Sequence, residues 1–173
     1  MIYLGYLLNS EVSEMRLKQI VPVFFLLLAV ILSACNANKE QAHQEHAPNG
    51  DLWETTASRD VLPTFLKSQS EEIQLVYQAA GQSTELLQWI PCYCGCGESA
   101  GHKSSMNCFV KTVNKDGSVV WDDHGTRCNV CLQIAAESIK LKQEGKSVQE
   151  IRQYIDEKYK EGYAAPTNTP MPS

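Results

Sequence analysis

The chain has 173 residues, room for one domain of ordinary size, and 43% of them are hydrophobic against 20% charged, which excludes a wholly disordered chain. Fifteen Lys and Arg against 20 Asp and Glu leave a net charge of −5, and no basic run of five or more residues interrupts it, so nucleic acid is not an expected partner. Seven cysteines are the departure from ordinary composition.

Residues 20–34 read IVPVFFLLLAVILSA, with Arg16 and Lys18 ahead of them and polar residues directly after Cys35. The run is shorter than the about 20 apolar residues that cross a bilayer, and Pro22 lies near its start. A basic segment, a short apolar segment and small residues at the end are the layout of a secretory signal, so residues 1–34 are expected to be a leader. Glu11 and Glu14 do not suit its basic end, and Met15 reads as the true start. Leu32-Ser33-Ala34-Cys35 resembles the lipobox of bacterial lipoproteins. That resemblance implies a lipid on Cys35 and a protein held on the extracytoplasmic face of the cell membrane. Removing the leader deletes two acids and two bases, so the mature chain keeps its negative charge and the lipid must supply the membrane affinity.

Residues 35–58 are mostly polar, with Pro48, Asn49 and Gly50 together, and read as a flexible tether. His43 and His46 lie three apart within it and are expected to be solvated. Ser68-Gln69-Ser70-Glu71 matches a capping box, and Ile73, Val76, Tyr77 and Ala80 follow as a helical stripe that stops at Gly81. Leu86, Leu87, Trp89 and Ile90 suggest a short turn ending at Pro91. Cys108–Val113 and Ser118–Trp121 flank Asn114-Lys-Asp-Gly117 and predict a β-hairpin. From Cys128 to about Gln143, Cys131, Ile134, Ala135 and Ile139 share one helical face, with Gly145 as the stop. Ser147-Val-Gln-Glu150 opens a last helix with the stripe Val148, Ile151, Ile155 and Tyr159. The end, residues 164–173, carries three Pro and reads as a disordered tail. The expected fold is therefore α+β and mainly helical: a small single domain over residues 59–163 with one β-hairpin and a Cys-rich loop.

Six cysteines remain beside Cys35: Cys92, Cys94, Cys96, Cys108, Cys128 and Cys131, with His102 and His124 interleaved. In an exported chain an even count first suggests three disulfides, and this alternative, a stapled structural or interaction module without metal, stays open. The spacing favours another use. Cys92, Cys94 and Cys96 fall within five residues, so in extended backbone they line one face roughly 7 Å apart, at the edge of unstrained disulfide geometry. A metal bound at about 2.3 Å from each sulfur draws such thiolates together, and Gly95 and Gly97 ease the wrapping of the backbone. Cys128-Asn-Val-Cys131 adds a pair at a helix start, where the dipole favours thiolate. Six Cys and two His make eight donors, the number for two tetrahedral sites. Soft thiolates select Cu(I) or zinc, with an iron cluster outside the cell ranked last. Met106 reads as a gap-filler, Asp122 and Asp123 as a solvated turn rather than an acid–base pair, Tyr93 as packing against the site, and Trp89 and Trp121 as core.

At Pro91-Cys92-Tyr93-Cys94-Gly95-Cys96-Gly97 the sequence resembles the PCYCGC-motif lipoproteins of Gram-positive, bacillus-like bacteria. The similarity extends over about residues 60–163, through Gly101-His102-Lys103, Asn107-Cys108-Phe109, Asp116-Gly117, Asp122 to Cys128, Cys131 and Glu161-Gly162-Tyr163. It implies a surface lipoprotein and carries no assigned activity. The expectation drawn from the residues is a non-enzymatic, membrane-tethered protein that binds Cu(I) or zinc for storage, transfer or sensing, with a further protein as a possible partner for metal transfer. A thiol–disulfide oxidoreductase using Cys128 and Cys131 is the remaining alternative, although no βαβ pattern surrounds the pair.

Overall fold

The structure is a computed structural model that describes residues 43–172; the leader, the Met15 start and Cys35 lie outside the described residues. Four strands form one antiparallel sheet: β1 (His43–His46), β2 (Leu52–Thr56), β3 (Val110–Val113) and β4 (Val119–Asp122), in the order β1-β2-β4-β3. Five α-helical segments accompany it: α1 (Glu71–Gln82), α2 (Thr84–Leu87), α3 (Cys96–Ser99), α4 (Asn129–Gln143) and α5 (Val148–Tyr159). The class is α+β, as expected, and the hairpin β3–β4 forms around Asn114–Gly117 with Val113 opposite Val119.

The sheet is larger than one hairpin, because part of the expected tether belongs to it. Trp53 pairs with Asp122 and Thr56 with Val119, placing β2 beside β4. The alternation in Leu52-Trp-Glu-Thr-Thr56 explains this: Glu54 and Thr56 point inward and are buried, while Trp53 and Thr55 face the other way. Glu54 is tolerated inside because its carboxylate accepts from the Thr64 backbone N–H at 2.5 Å, from Thr64 Oγ1 at 2.8 Å and from Gln44 Nε2 at 2.8 Å. Thr56 Oγ1 accepts from Trp121 Nε1 at 2.8 Å. His43 and His46, on β1, are exposed.

The core lies between the sheet and the helices. Tyr77 of α1 stands edge-on to Phe109, with ring centroids 5.0 Å apart, and donates its hydroxyl to the Asp122 carbonyl at 2.9 Å. Ile134 and Ala135 of α4 and Ile151, Ile155 and Tyr159 of α5 complete it. Trp121 is fully buried, whereas Trp89 is only half-buried, a correction to its expected core place.

Helix ends show where local rules hold. Ser147 and Glu150 form the expected capping box on α5, and α4 ends in a Schellman pair, Lys146 N–H to Leu141 C=O and Gly145 N–H to Lys142 C=O, both 3.1 Å. Helix α1 instead starts two residues later than expected. Ser68 is used up in a 3-10 turn (Thr64–Ser68), so Ser70 becomes the cap, accepting from the Ile73 N–H at 3.4 Å.

Gly81 does not stop α1, which runs on to Gln82. It serves close packing: a Cβ there would lie 2.4 Å from Cη2 of Trp121. Gly81→Ala should therefore destabilise the reduced, metal-free protein by about 1–2 kcal/mol, overpacking outweighing the gain in helix propensity. Urea unfolding followed by helical circular dichroism measures it.

Candidate metal centre

The Cys-rich loop leaves α2 at Pro91 and does not stay extended. Gly95 takes the left-handed conformation (φ 86°) as the residue before α3, and this reversal ends the extended run between Cys94 and Cys96, whose sulfurs stay within 4.8 Å of each other. The expected row of three thiols on one face is thus replaced by a folded loop. The sulfurs of Cys92 and Cys94 come to 3.4 Å, and Cys96 reaches instead to Cys108, at 3.7 Å.

Cys108 closes a 3-10 turn (Ser105–Cys108) at the entry to β3, and Cys131 sits in the first turn of α4. Cys131 Sγ is 3.4 Å from both Cys92 Sγ and Cys94 Sγ. Cys92, Cys94, Cys108 and Cys131 converge with all four sulfurs within 4.8 Å of one another. Sulfurs about 2.3 Å from a tetrahedral ion stand roughly 3.8 Å apart, so the cage has the right size for one. The six cysteines are free, and their close approaches exceed the about 2.05 Å of a disulfide bond. Cys128, the residue capping α4, lies at the edge: it is half-buried and belongs to none of the converging groups among the described residues. Cys131 packs on Cys92 and Cys94, so the Cys-x-x-Cys spacing does not define the close pair.

Both histidines join the cluster. His124 lies on a 3-10 turn (Asp123–Arg127) after β4 and converges with Cys94 and Cys96. His102, buried in the loop after α3, converges with Cys96 and Cys108, its Nδ1 3.5 Å from Cys108 Sγ. The expected count of eight donors is met only in part. The groups are not two separate tetrahedra, because Cys94, Cys96 and Cys108 each belong to two of them.

A polar layer that spacing did not reveal backs the histidines. Asp51, in the turn between β1 and β2, is 3% exposed, and its Oδ2 accepts from His124 Nδ1 at 3.2 Å. The same oxygen lies 3.9 Å from His102 Nε2, and Asp122 Oδ2 lies 3.8 Å from it. Arg127 pairs with Asp51 and Asp123. Trp53 Nε1 donates to Asp122 at 2.6 Å and the Leu52 N–H to Asp123 at 2.8 Å. Asp122 and Asp123 are therefore no solvated turn; they tie β2 to β4 beside the site. Asp51 escaped notice because Pro48-Asn-Gly50 in front of it has linker composition.

The cluster divides its protons unequally. Cys94 is held far below the ordinary thiol range by hydrogen bonds from Cys108, Cys128, Cys131 and Cys92, and Cys92 is drawn down to about 4 by Cys108 and Cys131. Cys131 is pushed up by Cys108 and Cys128 and further by burial. In Cys96 an opposing pull from Cys108 is outweighed by Cys92, Cys94 and burial, and that thiol also stays protonated. His124 is raised to about 9, chiefly by its bond to Cys94, with burial opposing and Asp51 assisting. At neutral pH the pair is imidazolium and thiolate, and an incoming cation would displace that proton.

Tyr93 packs as expected: it is buried, stacks on Tyr159 at 5.9 Å and donates to Asp156 at 2.8 Å. Met106 is half-buried and packs against the core. The tail, expected to be disordered, is a strap over the site. Thr167 N–H donates to the Cys92 carbonyl at 2.9 Å, its Oγ1 accepts from the Cys92 N–H at 2.9 Å, and Ala164 N–H donates to the Tyr93 carbonyl at 3.1 Å. Buried Arg152 holds its far end through the carbonyls of Thr169 and Pro170. A cavity of about 560 Å³ remains between strap and loop, lined by Gly97, His102 and Lys103 among others.

Fold and site define a small α+β protein whose core gathers free thiols and imidazoles in a geometry that could hold a metal ion. The chain belongs to the family of proteins of unknown function with a PCYCGC motif, whose model matches residues 24–172. No curated protein and no solved structure matches the chain.

Accessibility sets an order of thiol reactivity. In the metal-free reduced protein a short pulse of iodoacetamide should label Cys94 first, since it is half-buried and ionised, then Cys128, while Cys92, Cys96, Cys108 and Cys131 stay protected. After unfolding all six should alkylate, as peptide mass spectrometry would show.

Proposed function

We propose that this protein is a membrane-tethered, extracytoplasmic metal-binding protein that takes up a soft ion, Cu(I) or zinc, for storage, transfer or sensing, and that it binds rather than catalyses. The observation that carries this reading is the convergence of Cys92, Cys94, Cys108 and Cys131 within 4.8 Å. Four reduced sulfurs, three of them buried and Cys94 half-buried, select soft cations, and the two imidazoles at their border extend the donor set. The leader-like segment and the lipobox resemblance at Leu32–Cys35 support the tether, and a lipid on Cys35 would place the domain at the outer face of the membrane.

Asp51 supports the same reading from behind the histidines. A ligating imidazole ordinarily donates its other N–H to a carboxylate, which fixes the ring and raises its basicity. Asp51 stands in that relation to His124 and faces His102.

Full-length protein purified anaerobically from copper- or zinc-supplemented cells should carry at least one ion per chain, removable by a chelator, with all six domain thiols recovered afterwards. Metal-free protein with those thiols intact, or protein isolated with three disulfides, would overturn the reading. Cys35→Ser should move the protein out of the membrane fraction and leave the metal content unchanged. Asp51→Asn should weaken metal binding by about 10–100-fold in chelator competition while the helical signal is kept.

A further inference from the structure

The donors of the centre form a closed cycle of shared thiols. Cys92, Cys94, Cys108 and Cys131 make one converging group; Cys94, Cys96 and His124 a second; Cys96, His102 and Cys108 a third. The first and second groups share Cys94, the second and third share Cys96, and the third and first share Cys108. Each sharing sulfur is placed between two neighbouring positions for a cation, and thiolate bridges such pairs because sulfur has more than one lone pair to give. Among these three groups the donors that belong to one alone are Cys92 and Cys131 in the first, His124 in the second and His102 in the third; on their other side both histidines converge with Asp51.

We propose that the centre holds three Cu(I) ions in a ring in which Cys94, Cys96 and Cys108 each bridge two ions. The inference rests on the metal-binding reading above and adds nuclearity, connectivity and the choice of ion. Two of the positions offer two sulfurs and one imidazole. That three-donor set suits Cu(I), which accepts two or three ligands, whereas zinc at either position needs a fourth ligand. Single-file placement of the ions is excluded by the loop: Gly95 turns Cys96 back toward Cys108, 3.7 Å away, which closes the cycle. Each ion displaces the protons of its thiols, so loading is a plain exchange of Cu(I) for protons without electron transfer.

The test uses the full-length reduced chain in detergent, titrated anaerobically with Cu(I) alone against a chromogenic Cu(I) chelator. Three ions per chain are expected, with X-ray absorption showing copper neighbours closer than about 4.6 Å, twice a metal–sulfur distance of about 2.3 Å. One or two ions per chain would overturn the ring and leave the metal-binding reading standing; no Cu(I), and no zinc when the same chain is titrated with zinc alone, would overturn both. Cys96→Ser removes a ligand from both three-donor positions at once, so two of the three ions should be held more weakly in chelator competition, while the ion at the four-sulfur position, which keeps every ligand, is held as before. Weakening of one ion alone, or of none, in that variant would overturn the sharing. His124→Ala, which removes a ligand from a single one of the three positions, should weaken one ion alone, so the connectivity stays testable if Cys96→Ser does not fold.

Discussion

Two thiolates 3.4 Å apart repel by about 5 kcal/mol even at an effective dielectric constant of about 20, and Cys92, Cys94 and Cys131 form a triangle with sides of that length. Such a triangle cannot be fully ionised unless something positive sits against it. Protons meet the requirement in the free protein: hydrogen bonds from Cys108 and Cys131 draw Cys94 and Cys92 down, while Cys131, Cys96 and Cys108 are held up and keep theirs. A soft cation meets it better, since one ion touches several sulfurs at once. The surrounding fold supplies the geometry. Cys131 is fixed in the first turn of α4, Cys108 at the mouth of β3, and Pro91 with Gly95 folds the loop between them.

The same constraint accounts for the two segments that enclose the cluster. A loop carrying Cys92 to Cys96 has few large apolar side chains of its own, and its backbone groups need partners once it is buried. Thr167 and Ala164 provide them in the manner of a short added strand, and Arg152 anchors the strap by its carbonyls. The carboxylates of Asp51 and Asp122 face the imidazoles, Asp123 stands beside them, and the three are balanced by Arg127, the Trp53 indole and backbone N–H groups. Negative charge is thereby gathered next to a site that stands to gain positive charge.

Periodicity exposed the parts of the fold whose signals are local. The stripes Ile134–Ala135–Ile139 and Ile151–Ile155–Tyr159, the Ser147–Glu150 box and the Asn114–Gly117 turn are each decided within a few residues, and each is found. Features set by distant partners were not legible. Leu52–Thr56 looks like linker until Val119–Asp122 is laid beside it, and the Pro-rich end looks disordered until Cys92 and Arg152 are known to receive it. The cysteines and histidines that could hold an ion stand out in the sequence because cysteine is seldom idle in such numbers; their arrangement does not. Nothing in the spacing shows that Gly95 reverses the chain, that Cys128 stays at the border while Cys131 goes in, or that Asp51 stands behind both histidines.

The division between buried and half-buried thiols bears on whether an ion here would be fixed or exchanged. Cys92, Cys96, Cys108 and Cys131 are closed off by Tyr93, Phe109 and Ile134 within the core, so an ion held by these alone would leave only with local unfolding. Cys94 and Cys128 form an edge that water reaches, and His124 is likewise incompletely covered. A partner thiol approaching that edge meets Cys94 first, a half-buried sulfur held below the ordinary thiol range and common to two donor groups. Ligand exchange at such a sulfur can proceed one bond at a time while the buried donors keep their hold. A centre with a rigid floor and one wet side is better suited to exchange of an ion than to holding it as a structural pin.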